Sequence, residues 1–240
     1  MITKKALSNM DSTDIGWIKS IHHYSFGDFN SSKFKNFGVL EALDDNIILP
    51  RSGFHNNPQY HSEIMSYVIE GELTYGDSLG NDHILLKGNV QYINAGSGIT
   101  FEAHNFSSSP LRLLQISINS KNPNSNPSSK SYNFDIESKE NHWVYLASSI
   151  NGLAPIKIHQ DINIYSSKVN APNNIEFSIR SNRKGYLVQL YGKAIVTCYN
   201  ESDNHEVLLE EKDALEIFED EIKIACIEDS HFILFEMNIL

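Results

Sequence analysis

The sequence predicts an all-β protein built as two β-sandwich or jelly-roll barrels of similar size. Three observations carry this. Apolar and polar residues alternate with period two in several short runs, turn signals separate the runs at short intervals, and strand patterns lie on both sides of a stretch with no apolar residue. Period two places alternate side chains on one face, the mark of a half-buried strand. Many short strands punctuated by turns imply a sandwich or barrel.

In chain order, His22 and His23 read as a polar edge of the first strand. Tyr67, Val68 and Ile69, then the run 111–118, are almost wholly apolar or β-prone and read as strands buried inside a sandwich. Turns fall at 77–81 (DSLGN), 87–89 (KGN) and 95–98 (AGSG). The stretch 119–131, NSKNPNSNPSSKS, holds no core residue and reads as a linker or long surface loop. The expected division is therefore an N-terminal domain over 1–118, a linker over 119–135 and a C-terminal domain over 136–240. A brief helical piece is expected near Leu146, Ala147, Ser148 and Ser149. Beyond it, Ile162 and Ile164, then Ile175, Phe177 and Ile179, then Ile222 and Ile224, keep the strand period. The runs 186–191 and 232–235 read as buried strands, with a turn at 182–185.

A chain of 240 residues can bury a core without disulfides or metal. Its formal net charge of −11 argues against direct nucleic-acid binding and against anionic membranes. The two cysteines, Cys198 and Cys226, have no zinc-type spacing. They read as reduced, buried thiols, a redox-reactive thiol being the alternative. No apolar stretch follows the two lysines near the N-terminus, and no run approaches the length of a membrane span, so the expected location is the cytoplasm.

The stretch 53–105 carries a specific pattern. Pro58, Glu63, the turn Glu70, Gly71 and Glu72, the DSLGN turn at 77–81, Gly88, Val90, Gln91 and the AGSGI run at 95–99 stand in order. Ser25, Phe26 and Gly27, the run LRLLQ at 111–115 and IHQDINIY at 158–165 add to it. The whole resembles the pirin family, most of all its YhaK-like bacterial branch, in which the metal pattern is also degraded. The resemblance implies a bicupin, two cupin barrels of which the first holds an iron-class ion on three His and one Glu. It maps those four ligand positions onto Asn57, Gln59, Phe101 and Ala103. Amide oxygens are weak neutral donors for a transition metal, and Phe and Ala donate nothing. The expectation is no catalytic residue, no cofactor, and a repacked or ligand-holding pocket there, with Met65 and Tyr67 adding apolar surface.

The alternative is a displaced ion, iron or another divalent transition metal. His55, His61, Glu63, Glu102 and His104 crowd the same motif. Of these, His61, Glu63, Glu102 and His104 are the displaced-site candidates. Glu102 and His104 have the opposite strand parity to Phe101 and Ala103, and would turn inward only through a register slip or bulge. His159, beside Asp161, reads as part of a polar strand face, and the second domain as structural. Three functions follow. The first is a non-catalytic small-molecule-binding, redox-sensing or regulatory protein. The second, which the resemblance implies, is a quercetinase-type dioxygenase using the displaced metal, and the third, by analogy with the family, is a transcriptional co-regulator. The partners expected are a small aromatic ligand or a protein, and a monomer is expected rather than an obligate oligomer.

Overall fold

The computed structural model describes residues 2–24, 36–135, 140–200 and 203–239. Ser25, Phe26 and Gly27 lie outside these. The described residues are almost entirely strands and turns, with one 3-10 turn, Leu7–Asn9, and no helix long and apolar enough to cross a membrane. The chain separates into two compact units, Asp11–Phe134 and a second made of Met1–Met10 with Asp135–Leu240.

The second unit begins with β1 (Ile2–Lys5), which pairs far along the chain with a strand of the C-terminal half. The first unit is a sandwich. Its larger sheet holds β2 (Asp11–Asp14), β3 (Ile18–Tyr24), β4 (Leu40–Ile48), β6 (Ser62–Glu70), β9 (Asn89–Asn94), β11 (Leu111–Asn119) and β12 (Ser128–Asn133). Their order is β12-β9-β6-β11-β4-β3-β2. The smaller sheet holds β5 (Ser52–Gln59), β7 (Glu72–Asp77), β8 (Asp82–Leu86) and β10 (Ile99–Asn105), in the order β5-β10-β7-β8. Ile64, Val68, Ile93, Leu111 and Leu113 from the large sheet pack against Leu73, Tyr75, Leu85, Ile99, Phe101 and Ala103 from the small one.

The second unit repeats the plan. Its larger sheet joins β1 to β13 (Val144–Ser149), β14 (Ile156–Ile158), β15 (Ile162–Val169), β17 (Arg183–Tyr191), β20 (Ala214–Phe218) and β22 (Ser230–Asn238). Its smaller sheet holds β16 (Asn174–Ser178), β18 (Ala194–Asn200), β19 (Asp203–Leu209) and β21 (Glu221–Cys226). Leu187, Leu215, Phe232 and Leu234 meet Ile175, Val196, Ile222 and Ile224 in its core.

Four expectations need correction. The stretch 119–135 is no linker. His61 Nδ1 bonds the Pro123 carbonyl at 2.8 Å, the Ser97 amide donates to the Ser125 carbonyl, and β12 pairs with β9 along its whole length. A Cβ on Gly96 would stand 2.1 Å from the Ser125 oxygen, so the contact is tight. A largely polar segment can still form an edge strand, because sheet pairing needs only its backbone groups. The boundary thus falls after Phe134, and the first ten residues belong with the C-terminal half. Leu146 to Ser149 are strand rather than helix, since β13 is paired on both sides and buries Leu146, Ala147 and Ser148. His22 and His23 are not at an edge, because β3 lies between β2 and β4.

Two polar pairs on the first unit's large sheet make measurable contributions. Arg112 and Asp45 form a buried, forked pair, with Arg112 Nη2 donating to Asp45 Oδ2 at 2.6 Å and Nε at 3.0 Å to Oδ1. Replacing Arg112 with Met strands the Asp45 carboxylate and is expected to cost about 3–5 kcal/mol in urea unfolding. Across β3 and β4, His22 Nδ1 donates to Asp44 at 2.7 Å. That bond to Asp44 raises the His22 pKa above its ordinary 6.5, against the opposing pull of partial burial. The stabilisation is therefore complete below pH 6.5 and is lost as pH rises through the folded value. Melting temperature should fall across that window, and Asp44→Asn should flatten the fall.

Candidate functional site

Strands β5 and β10 build the site. Pairing runs Ile99 to Gln59, Thr100 to Pro58 and Phe101 to Asn57, then resumes with Ala103 opposite Phe54. Two residues of β5, His55 and Asn56, thus stand against one of β10, Glu102. This is a β-bulge, and Asn56 takes a positive φ of 45°, a conformation Asn tolerates better than most residues.

The bulge sorts the side chains onto two faces. Phe101, Ala103 and Phe54 turn inward to the sandwich core. Phe101 is 3% exposed and stacks on Tyr75 at 6.0 Å. Half-buried Gln59 donates from Nε2 to Asn57 Oδ1 at 3.2 Å. The four positions that the family resemblance gives to metal ligands are thus brought together, and they offer two mutually bonded amides, a phenyl ring and a methyl group. This donor set does not fit a transition metal. Met65 and Tyr67 do not line this place. They alternate with Ile64 and Val68, which face the core, and so point to the opposite face of β6.

On the outward face of β10, Glu102 and His104 meet His55. One nitrogen or oxygen of each lies within 4.8 Å of those of the other two. His104 Nε2 is 3.8 Å from Glu102 Oε2, and the two imidazole rings are 4.0 Å apart. His104 lies opposite Gly53, where a Cβ would come within 2.5 Å of His104 Nδ1, so the bare glycine makes room for the ring. Phe106 stacks on the other side at 5.1 Å. The side chain is thus 7% exposed although it points away from the core. Its Nε2 is buried without a hydrogen bond, which costs about 1–3 kcal/mol if nothing fills the position. Burial first, and His55 second, hold the His104 pKa below its ordinary value, against Glu102. Beside Glu102 lies an open depression of about 530 Å³, lined also by Asn56, Asp77, Ser78, Asn81 and Thr100.

Of the displaced-site candidates, the structure joins only Glu102 and His104. His61 is engaged with Pro123 across the start of the polar stretch. Glu63 is fully buried and accepts a short hydrogen bond from the Tyr92 hydroxyl on the face of β6 away from the core. His55 was absent from that candidate set. The adjacent Asn56 and Asn57 are the one sequence signal for the irregularity that recruits it.

The second unit has a cavity of about 480 Å³. Tyr145 and Tyr165 stack at 4.5 Å, Phe177 meets Tyr165 edge-on at 5.0 Å, and Arg180 and Glu236 supply charge. Glu236 is tied to Arg183 Nε and Asn163 Nδ2.

The family assignment rests on sequence. Residues 4–118 match the pirin family model and residues 145–237 match the model for the quercetinase C-terminal cupin domain. The chain is 32% identical over 193 residues to a pirin-like protein of Caulobacter vibrioides, covering 80% of this chain and 83% of the relative. It belongs to the pirin family. It is also 27% identical to a quercetin 2,3-dioxygenase of Escherichia coli over 92% of both chains. The crystal structure of the bacterial pirin YhhW from Escherichia coli, in complex with nickel(II), superposes with a TM-score of 0.88 at 26% identity and complete coverage of both chains. YhaK from Escherichia coli superposes with a TM-score of 0.72 at 18% identity over 90% of this chain and 92% of its own. The expected leaning towards YhaK is thereby corrected: this pirin resembles YhhW more in both sequence and shape.

Cys198 and Cys226 of this pirin are buried in the second unit's core. Burial pushes their thiols up to about 12 and about 11, so neither forms the reactive thiolate at neutral pH. An aromatic disulfide reagent should leave both unmodified in the native protein and titrate both in guanidinium. Rapid native modification of either would revive a redox role.

Proposed function

We propose that this pirin-family bicupin is a non-catalytic small-molecule-binding protein whose N-terminal family pocket no longer holds a metal. The observation that carries this is the state of the four family positions. Gln59 donates to Asn57, and Phe101 is packed on Tyr75 where the resemblance implies an imidazole. Flavonol dioxygenation draws on a metal that orients substrate and promotes its reaction with dioxygen, and this wall provides no imidazole or carboxylate to hold one. The likeness to a quercetin 2,3-dioxygenase over nearly the whole chain speaks for the shared scaffold. Function lives in the site rather than the scaffold.

The second-unit cavity supports the binding half of the reading. Tyr145, Tyr165 and Phe177 give a planar ligand aromatic faces, while Arg180 and Glu236 give it polar anchors. A cavity of about 480 Å³ with mixed apolar and polar lining suits a small aromatic molecule.

Oxygen uptake with quercetin, measured after loading with iron, nickel or manganese, is expected to stay at the protein-free rate. Metal-dependent turnover by the unaltered chain would overturn the proposal. Quercetin or a simpler phenol should quench the fluorescence of Trp143, which meets Phe177 at 5.4 Å, and Phe177→Ala should weaken that binding about tenfold or more.

A further inference from the structure

We propose that His55, Glu102 and His104 form a binding site for a divalent transition metal of the zinc or nickel class, on the outward face of the small N-terminal sheet. The site is separate from the family pocket, on the other side of the same strand. Phe101 and Ala103 face the core while Glu102 and His104 face out.

The donor chemistry fits such an ion. Two imidazoles and one carboxylate are the ligand types that late first-row divalent metals favour, and three protein ligands leave positions for water or a further ligand. Ligands about 2.1 Å from a tetrahedral ion lie roughly 3.4 Å from one another. His104 Nε2 and Glu102 Oε2 already stand 3.8 Å apart, and the His55 donor is within 4.8 Å of both. Small side-chain rotations close that gap.

The second observation is His104 itself. Its ring is more than nine-tenths buried, and its Nε2 faces Glu102 without a hydrogen bond. A buried ring nitrogen left without a partner is uncommon in native proteins. The surroundings hold the ring in place: bare Gly53 beneath it, Phe106 stacked on it and His55 beside it. A solvated surface histidine needs none of these supports, whereas a ligand must be held in one orientation. The β5 bulge completes the set by putting His55 opposite Glu102.

The test uses the full chain, without a histidine tag and stripped with a chelator. Titration calorimetry with Zn²⁺ and with Ni²⁺ is expected to give one equivalent per chain. His55→Gln and Glu102→Gln should each weaken binding about tenfold or more, since loss of even an outer partner costs a metal site that much. Both side chains are exposed, so neither change threatens folding. His104→Gln should abolish binding. If that variant misfolds, the two exposed variants still decide the matter. Co²⁺ should give a visible ligand-field spectrum that Glu102→Gln alters. Absence of stoichiometric binding overturns the proposal, as does binding unchanged in both His55→Gln and Glu102→Gln. Quercetin oxidation that depends on Glu102 would overturn the non-catalytic reading while supporting the metal site. Metal binding without turnover supports both.

Discussion

The pairing of β5 with β10 is the constraint on which the rest of the site depends. Side chains alternate along a strand, so one additional residue reverses the face of everything beyond it. Here the addition is the His55 and Asn56 pair set against Glu102. With it, Phe54 and Asn57 both line up with the inward residues of β10. Without it, Asn57 and Gln59 would turn outward, away from Phe101. Held instead from the Asn57 side, an unbulged register would set His55 against Ala103, away from His104. A single irregularity therefore sets the composition of the inner wall and of the outer cluster together.

The inner wall shows what a cupin-like sandwich does with the volume when the family positions carry hydrocarbon. Burying a Phe side chain contributes about 1.5–3 kcal/mol. Phe101 collects it by continuing the row of Tyr75, Ile99 and Ala103 across the small sheet. The two amides stay half-exposed at the rim, where they bond each other and leave no polar group stranded in the core. Tyr75 carries the polar side of the same wall. Burial above all pushes its hydroxyl far up, so it stays protonated and donates to Asp77.

Much of the fold was legible because a half-buried strand advertises itself by alternation. Ile175 and Phe177, Ile222 and Ile224, and the run 111–118 all lie in strands. What escaped were features set by partners distant in sequence. The pairing of Ile2 with Ile217 leaves no mark on either local pattern. The polar stretch around Ser125 looked unstructured because its ordering comes from Gly96, His61 and the backbone of β9, not from side chains that seek a core. For the site, the inward and outward parity of β10 could be read directly, and it placed Phe101 and Glu102 correctly on opposite faces. The bulge could not, because it lies in the partner strand and its only trace is the Asn56 and Asn57 pair.

Parity also separates the fates of the two faces. Phe101 and Ala103 are constrained by the volume of the core, so their identities answer to packing density. Glu102 and His104 project from the same four-residue span but answer to each other, to His55 and to solvent. Replacement of inward ligand-position residues by hydrocarbon therefore says nothing about the donors beside them. His104 makes the point most clearly. It is as buried as Ala103, yet its burial comes from Phe106, His55 and the missing side chain of Gly53 instead of the sandwich interior. A ring enclosed that way, with a donor-capable nitrogen turned to a carboxylate 3.8 Å away, is arranged for a third body between them and not for packing alone.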